Sequence, residues 1–350
     1  MRRLPVYFLI DVSESMVGKP MDSVDAGLRD ILSQLKRDPY ALETVWVSVI
    51  VFAGKAKVVT PLTELMAFYP PKLNIGAGTS YDAGFRRLIQ SMDAEVNFGS
   101  ADSKGDWKPL VVFISDGVST DHTMSALDEW RTKWKGRSDS VSLAIGKGVD
   151  LAQLDSLTNQ VLKVEDAEGG TDGLEGFFRW VTNSISANSK SLGLDGQAIS
   201  LGGPEELRVE VSEMEEVALR VDEQHAIFHG KCQGNAKEYI VKYSKGVAAS
   251  TFAGLDVEVY RLSGSFVVGG DYRELSQDGL EDRDQATIST ENLRGVPNCP
   301  VCENSFAMCS CQCGGIFCLD GPGVQTCPHC GTTSEFVAGD GHIDLNRKQG

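Results

Sequence analysis

No cysteine stands before Cys232 in this chain of 350 residues. A disulfide-stapled secreted domain would spread its half-cystines through the fold, so the long N-terminal part has to hold together through its core alone. Positive charge is scarce as well. The 33 Lys and Arg against 49 Asp and Glu leave a formal charge of −16, which excludes general attraction to nucleic acid or to an anionic membrane, since both need a basic face. No apolar run approaches the ~20 residues of a spanning helix. The opening Met1-Arg-Arg-Leu-Pro-Val-Tyr-Phe-Leu-Ile10 stops at Asp11 without a small-residue cleavage site, so it reads as a buried strand rather than an export signal. Nucleophile motifs are missing, and Gly146-Lys-Gly148 lacks the rest of a phosphate-cradling loop and reads as a strand-end turn.

What is present alternates. The length suggests two or three domains. Val6–Ile10, Val45–Phe52, Leu110–Ile114 and Val141–Ile145 are short continuous apolar runs, the pattern of strands buried on both faces. Between them lie helical periodicities. Met21, Val24, Leu28, Ile31, Leu32 and Leu35 form one stripe, with Pro20 in its first turn. Tyr81, Phe85, Leu88, Ile89 and Met92 form a second, and Leu174, Phe177, Phe178, Val181 and Ile185 a third. Such alternation predicts an α/β domain over residues 1–188, a doubly wound, mostly parallel sheet with helices on both faces. A Ser/Gly/Asn-rich linker follows from Ser184 to Pro204. Leu207–Val211, Val217–Val221, Tyr239–Tyr243, Leu255–Val259 and Phe266–Val268 then predict an antiparallel β-domain over residues 204–270. An acidic, turn-rich stretch, Gly269–Asp284, leads to a small zinc-ribbon-like module over residues 296–345.

Two constellations carry chemistry. The first is made of hard oxygen donors. Asp11, Ser13 and Ser15 follow the first strand, Thr79 precedes a helix, and Asp116 follows another apolar strand. In open α/β sheets ligands bind beyond the carboxyl ends of the strands, where the strand order reverses. Two carboxylates and three hydroxyls there suit a Mg²⁺ ion, or Mn²⁺ or Ca²⁺, that keeps several waters and leaves a position open for a partner's oxygen. Glu14 and Asp82 read as solvated carboxylates, with the alternative that Glu14 helps set the field at the site. The second constellation is sulfur. Of nine cysteines, eight lie between Cys299 and Cys330. Cys299-Pro-Val-Cys302 and Cys327-Pro-His-Cys330 have the two-residue spacing of zinc knuckles and together predict one tetrahedral Zn²⁺ site. Cys309, Cys311, Cys313 and Cys318 between them suggest a second zinc, so the chain is expected to bind one or two. His329 and His342 read as surface residues, with the alternative that one substitutes as a zinc ligand, Cys232 reads as a packing residue, and His225 and His229 read as structural.

Asp11-Val-Ser13-Glu-Ser15, Thr79 and Ser115-Asp116-Gly117 resemble the metal-ion-dependent adhesion site of von Willebrand factor A domains, with Gly76-Ala-Gly78 in place of the usual Gly-Gly before the threonine. That resemblance covers residues 1–188 and implies a metal-dependent protein-binding domain rather than an enzyme. With the β-rich middle, the two Cys-Pro-x-Cys knuckles and the opening Met1–Val6 and Phe8–Met16, the whole chain resembles the tellurium-resistance (TerY) family. The resemblance implies a cytoplasmic adaptor or scaffold in tellurite resistance and stress response, working with a protein kinase and a PP2C-type phosphatase. Two other functions compete. A metal-dependent hydrolase or phosphatase would need a base near the cation, and His122 is the single histidine beside the three loops. A nucleic-acid binder would need more basic residues in its zinc ribbon than Arg347 and Lys348.

Overall fold

A computed structural model describes residues 2–100, 103–121, 123–146, 148–164, 172–193, 223–249, 256–276, 287–336 and 342–347. The chain forms two compact units, one of residues 1–220 with 274–276, the other of residues 221–273 with 277–350.

The first unit follows the predicted alternation. In chain order it contains β1 (Leu4–Asp11), α1 (Lys19–Leu35), α2 (Pro39–Thr44), β2 (Val45–Phe52), β3 (Ala56–Glu64) and α3 (Tyr81–Glu95). A short hairpin, β4 (Gly99–Ser100) and β5 (Ser103–Lys104), leads to β6 (Leu110–Ser115), α4 (Ser125–Lys133), β7 (Asp139–Ile145), α5 (Leu151–Leu157), β8 (Gln160–Val164) and α6 (Asp172–Gly193). The sheet order is β3-β2-β1-β6-β7-β8. All its pairs are parallel except the edge pair β2–β3.

Period-two alternation in β1 divides the core between the two faces of the sheet. Val6, Phe8 and Ile10 pack with the apolar faces of α1 and α6. Tyr7 and Leu9 pack instead with Phe85 and Leu88 of α3 and Trp130 of α4. The order reverses between β1 and β6, and the carboxyl ends of these two strands therefore open side by side, as a ligand site in such a sheet requires. Among the described residues no helix is long and apolar enough to cross a membrane.

Helix α6 runs on to Gly193, past the expected linker start at Ser184, because Val181 and Ile185 extend its buried stripe and Ser189 packs its hydroxyl against that of Thr44, 2.7 Å away. The expected strands Leu207–Val211 and Val217–Val221 lie outside the described residues.

In the second unit β9 (His225–Lys231), β10 (Glu238–Ala249) and β11 (Asp256–Val267) form an antiparallel meander. After it come β12 (Thr287–Ser289), β13 (Leu293–Arg294), β14 (Phe306–Ser310), β15 (Ile316–Leu319), β16 (Gly323–Thr326), β17 (Thr333–Phe336) and β18 (Asp344–Asn346). The sequence separates a middle β-domain from a cysteine module. In the structure the two share one sheet, ordered β13-β11-β10-β9-β15-β14. The edge of β9 pairs with β15, which satisfies backbone groups that a free edge would leave open.

Candidate metal centres

The oxygen donors meet where the sheet order reverses. Asp11 ends β1 with no exposed surface. Its Oδ1 accepts from the Ser13 amide at 2.8 Å and its Oδ2 from the Ser115 hydroxyl at 2.6 Å. The Ser13 and Ser15 hydroxyls are 2.9 Å apart, and Ser15 Oγ donates to Asp116 Oδ1 at 2.8 Å. These contacts tie the first and third loops into one buried polar cluster.

Thr79 is brought in by backbone stitching. Its carbonyl accepts from the Thr120 amide at 2.8 Å, and its amide donates to Thr120 Oγ1 at 3.3 Å. The next residue, Ser80, caps α3 by accepting from Ala83 N at 3.0 Å and donates its hydroxyl to Asp121 at 2.5 Å. Asp121 also accepts from Asp82 N and from Ser119 Oγ, so one carboxylate holds the start of α3 against the loop after β6. Sequence reasoning did not single out Asp121. Its position in a Ser-Thr-Asp turn, just beyond the Ser-Asp-Gly motif, was the available signal.

All five predicted donors are brought together, and all are buried. The Thr79 Oγ1 atom has no hydrogen-bond partner among the described residues. A buried hydroxyl without a partner costs on the order of 1–3 kcal/mol. A cation offers what is missing. Burial, and then the facing Asp116 carboxylate, push the Asp11 carboxyl up to about 7. Two carboxylates this close repel unless a positive charge stands between them. Donor type, burial and the orphaned hydroxyl therefore fit a hard divalent cation held by Asp11, Ser13, Ser15, Thr79 and Asp116.

Two carboxylates depart from expectation. Glu14 opens a short 3₁₀ turn and is fully buried. Asp82, read as solvated, is 6% exposed, because its Oδ1 accepts from Ala126 N at 2.6 Å and so ties α3 to the first turn of α4. His122 lies outside the described residues.

The sulfur ligands pair differently from the sequence expectation. Cys299 and Cys302 gather with Cys232 and Cys318, while Cys327 and Cys330 gather with Cys311 and Cys313. Within each group the sulfurs all lie within 4.8 Å of one another. Measured S···S distances are 3.6 Å for Cys302–Cys318 and 3.8 Å for both Cys311–Cys330 and Cys313–Cys327. Disulfides are excluded at these lengths, since bonded sulfurs stand ~2 Å apart. A Zn–S bond of about 2.3 Å instead gives a tetrahedral edge of about 3.8 Å. Both groups fit Zn²⁺.

The two knuckles cannot share one ion because each faces its own partner loop. Cys232, read as packing, is a ligand candidate, and Cys309 is not. The Cys309 sulfur falls in neither group, and burial raises its thiol to about 11. The turn at Cys232 explains what was missed. In the knuckles Glu303 N returns to Cys299 O and Gly331 N to Cys327 O, with both residues at positive φ. Ala236 N returns to Cys232 O in the same way, also at positive φ. The Gln-Gly-Asn run after Cys232 was the turn signal available in the sequence. His329 does not join either group, since its Nε2 lies 2.8 Å from Ile316 O, and His342 is exposed.

Fold and first site define a von Willebrand factor type A domain, and residues 6–118 match the family model of that description. Residues 222–350 match the TerY-C metal binding domain. The chain therefore joins a von Willebrand factor type A domain to a TerY-C metal binding domain. Among curated proteins, inter-alpha-trypsin inhibitor heavy chain H1 of Bos taurus is 25% identical over 195 residues, which is 51% of this chain. The matched part is 21% of that relative's length. Among solved structures, a von Willebrand factor type A protein from Catenulispora acidiphila aligns over 53% of this chain and 43% of its own, at 16% identity and a TM-score of 0.41. The pilus adhesin SpaC of Lactobacillus rhamnosus GG aligns over 54% and 30%, at 13% identity and a TM-score of 0.44. Proximal thread matrix protein 1 from the mussel byssus, with a zinc-occupied adhesion motif, aligns over 53% and 48%, at 15% and 0.39.

Proposed function

We propose that this protein is a metal-dependent adaptor that binds a protein partner and does not act as an enzyme. A divalent cation, Mg²⁺ foremost, held by Asp11, Ser13, Ser15, Thr79 and Asp116, would supply an electrophilic coordination position to which an acidic or phosphoryl oxygen of the partner binds. The observation that carries this reading is the orphaned Thr79 hydroxyl, buried beside a hydroxyl–carboxylate cluster in which Ser15 spans to Asp116. The protein's own groups have limited tasks. Ser115 and the Ser13 amide orient Asp11, and Asp121 and Thr120 hold the Thr79 loop in register. The paired cysteine groups would each take a zinc that folds the second unit. We place this work in the cytoplasm, in tellurite-resistance or stress systems, with a protein kinase and a PP2C-type phosphatase as partners.

The test is recovery of partners from cell lysate on the full chain in Mg²⁺ buffer, in Mg²⁺-free buffer, and with Asp116→Ala. A kinase or phosphatase retained only by the wild type with Mg²⁺ supports the adaptor. Equal recovery in all three arms would remove the cation site from the docking surface.

A further inference from the structure

The Thr79 loop has a second support that comes from far along the chain. Residues 274–276 belong to the first unit and lie against the loop that precedes Thr79. Leu275 is 2% exposed and packs in the same core cluster as Val12, Ala53 and Leu73. Its carbonyl accepts from the Lys55 amide at 2.8 Å. Ser276 Oγ accepts from the Ala77 amide at 3.0 Å, and Glu274 pairs with Lys57 at 2.8 Å. Gly76 makes the approach possible. A Cβ at that position would stand 2.5 Å from Leu275 Cβ and 2.9 Å from Ala53 Cβ, so a side chain there would displace the segment.

The same loop is bound to the cation site on its other side. Gly76 N donates to Val12 O, one residue beyond Asp11, at 2.9 Å. Ala77 O accepts from Gly54 N at 2.9 Å, and Ser80 N donates to Ala53 O at 2.7 Å. Residues 76–80 are therefore held between Val12, the turn at Ala53–Lys55 and the Leu275 segment. Freeing any one of these would widen the positions available to Thr79.

We propose that Glu274-Leu275-Ser276 is a positioning latch that presses the Gly76–Thr79 loop into the geometry that binds the cation. This rests on the cation reading above. Coupling of this kind is reciprocal: if the docked latch tightens cation binding, the cation must hold the latch down by the same factor.

The experiment uses the full chain with its zinc in place. Mn²⁺ affinity is measured for wild type, Leu275→Ala and Ser276→Ala, with Asp116→Ala as the blank. Amide exchange of residues 272–276 is followed in parallel with and without Mg²⁺. The expected result is a Mn²⁺ dissociation constant at least threefold weaker in both variants, and slower exchange of the segment in wild type when Mg²⁺ is present. Ser276→Ala removes one part-buried hydrogen bond without opening the apolar core, and keeps the test valid if Leu275→Ala fails to fold. Unchanged Mn²⁺ affinity in the folded variants, with exchange indifferent to Mg²⁺, overturns the latch alone. Wild type that binds no more Mn²⁺ than Asp116→Ala overturns the cation reading and the latch together.

Discussion

Asp11 is buried and feels the charge of Asp116, and that juxtaposition sets the pH behaviour of the cation-free first unit. Burial and the second carboxylate raise the Asp11 carboxyl from its ordinary 3.8 to about 7. A raised folded-state value means that the cation-free folded protein holds a proton the unfolded chain releases. Its contribution to stability therefore declines as pH rises from about 4 to about 7. A cation needs the ionised carboxylate, so its stabilising effect grows through the same window. The melting temperature of the first unit should therefore gain more from Mg²⁺ at pH 8 than at pH 5.5, by calorimetry on the full chain. A gain that is flat across this range would mean that Asp11 does not face the ion.

Helices α1 and α6 meet at the level of elements. Gly27 lies in the middle of α1, where glycine costs a helix about 1 kcal/mol relative to alanine. Propensity alone would make Gly27→Ala stabilising. The crossing opposes it, because a Cβ there would fall 2.0 Å from Cδ2 of the buried Phe178 ring. Overpacking of this kind costs roughly 1–3 kcal/mol, which outweighs the helical gain. Gly27→Ala is expected to lower the melting temperature of the first unit by a few degrees. A rise would show that Phe178 yields freely and that α6 is only loosely seated.

For the whole molecule the number of zinc ions is the sharpest measurable consequence. Two separate sulfur groups predict two zinc equivalents per chain, by elemental analysis or by release to a chromogenic chelator. Cys232→Ser should reduce this to one, since Cys311, Cys313, Cys327 and Cys330 remain intact. A single equivalent in wild type, unaffected by Cys232→Ser, would restore the shared site that the knuckle spacing suggests. Removal of zinc should melt the second unit while the first, with its own core on both faces of its sheet, keeps its transition.

Sequence alone determined the alternation of strands and helices in the first unit, because hydrophobic periodicity is local and survives in one dimension. It also singled out the five oxygen donors that the fold brings into one buried cluster: Asp11 and Ser13 at the end of β1, Thr79 just before α3, Asp116 just after β6, and Ser15 through its motif spacing. The sequence could not assign the sulfur ligands. Spacing reports which cysteines share a turn, whereas the metal sees which turns face each other, and that is decided by β15 pairing with β9. Cys232 joined a site for this reason, and Cys309 did not. Burial of Glu14 and Asp82 likewise came only from the fold, because a charged residue beside a polar motif looks the same in sequence whether its carboxylate meets water or a backbone amide of the next helix. The docking of Leu275 on Gly76 depends on a contact about two hundred residues long in sequence. Such contacts leave no periodic trace, since nothing local distinguishes a leucine that fills a gap beside a distant glycine from one that faces solvent.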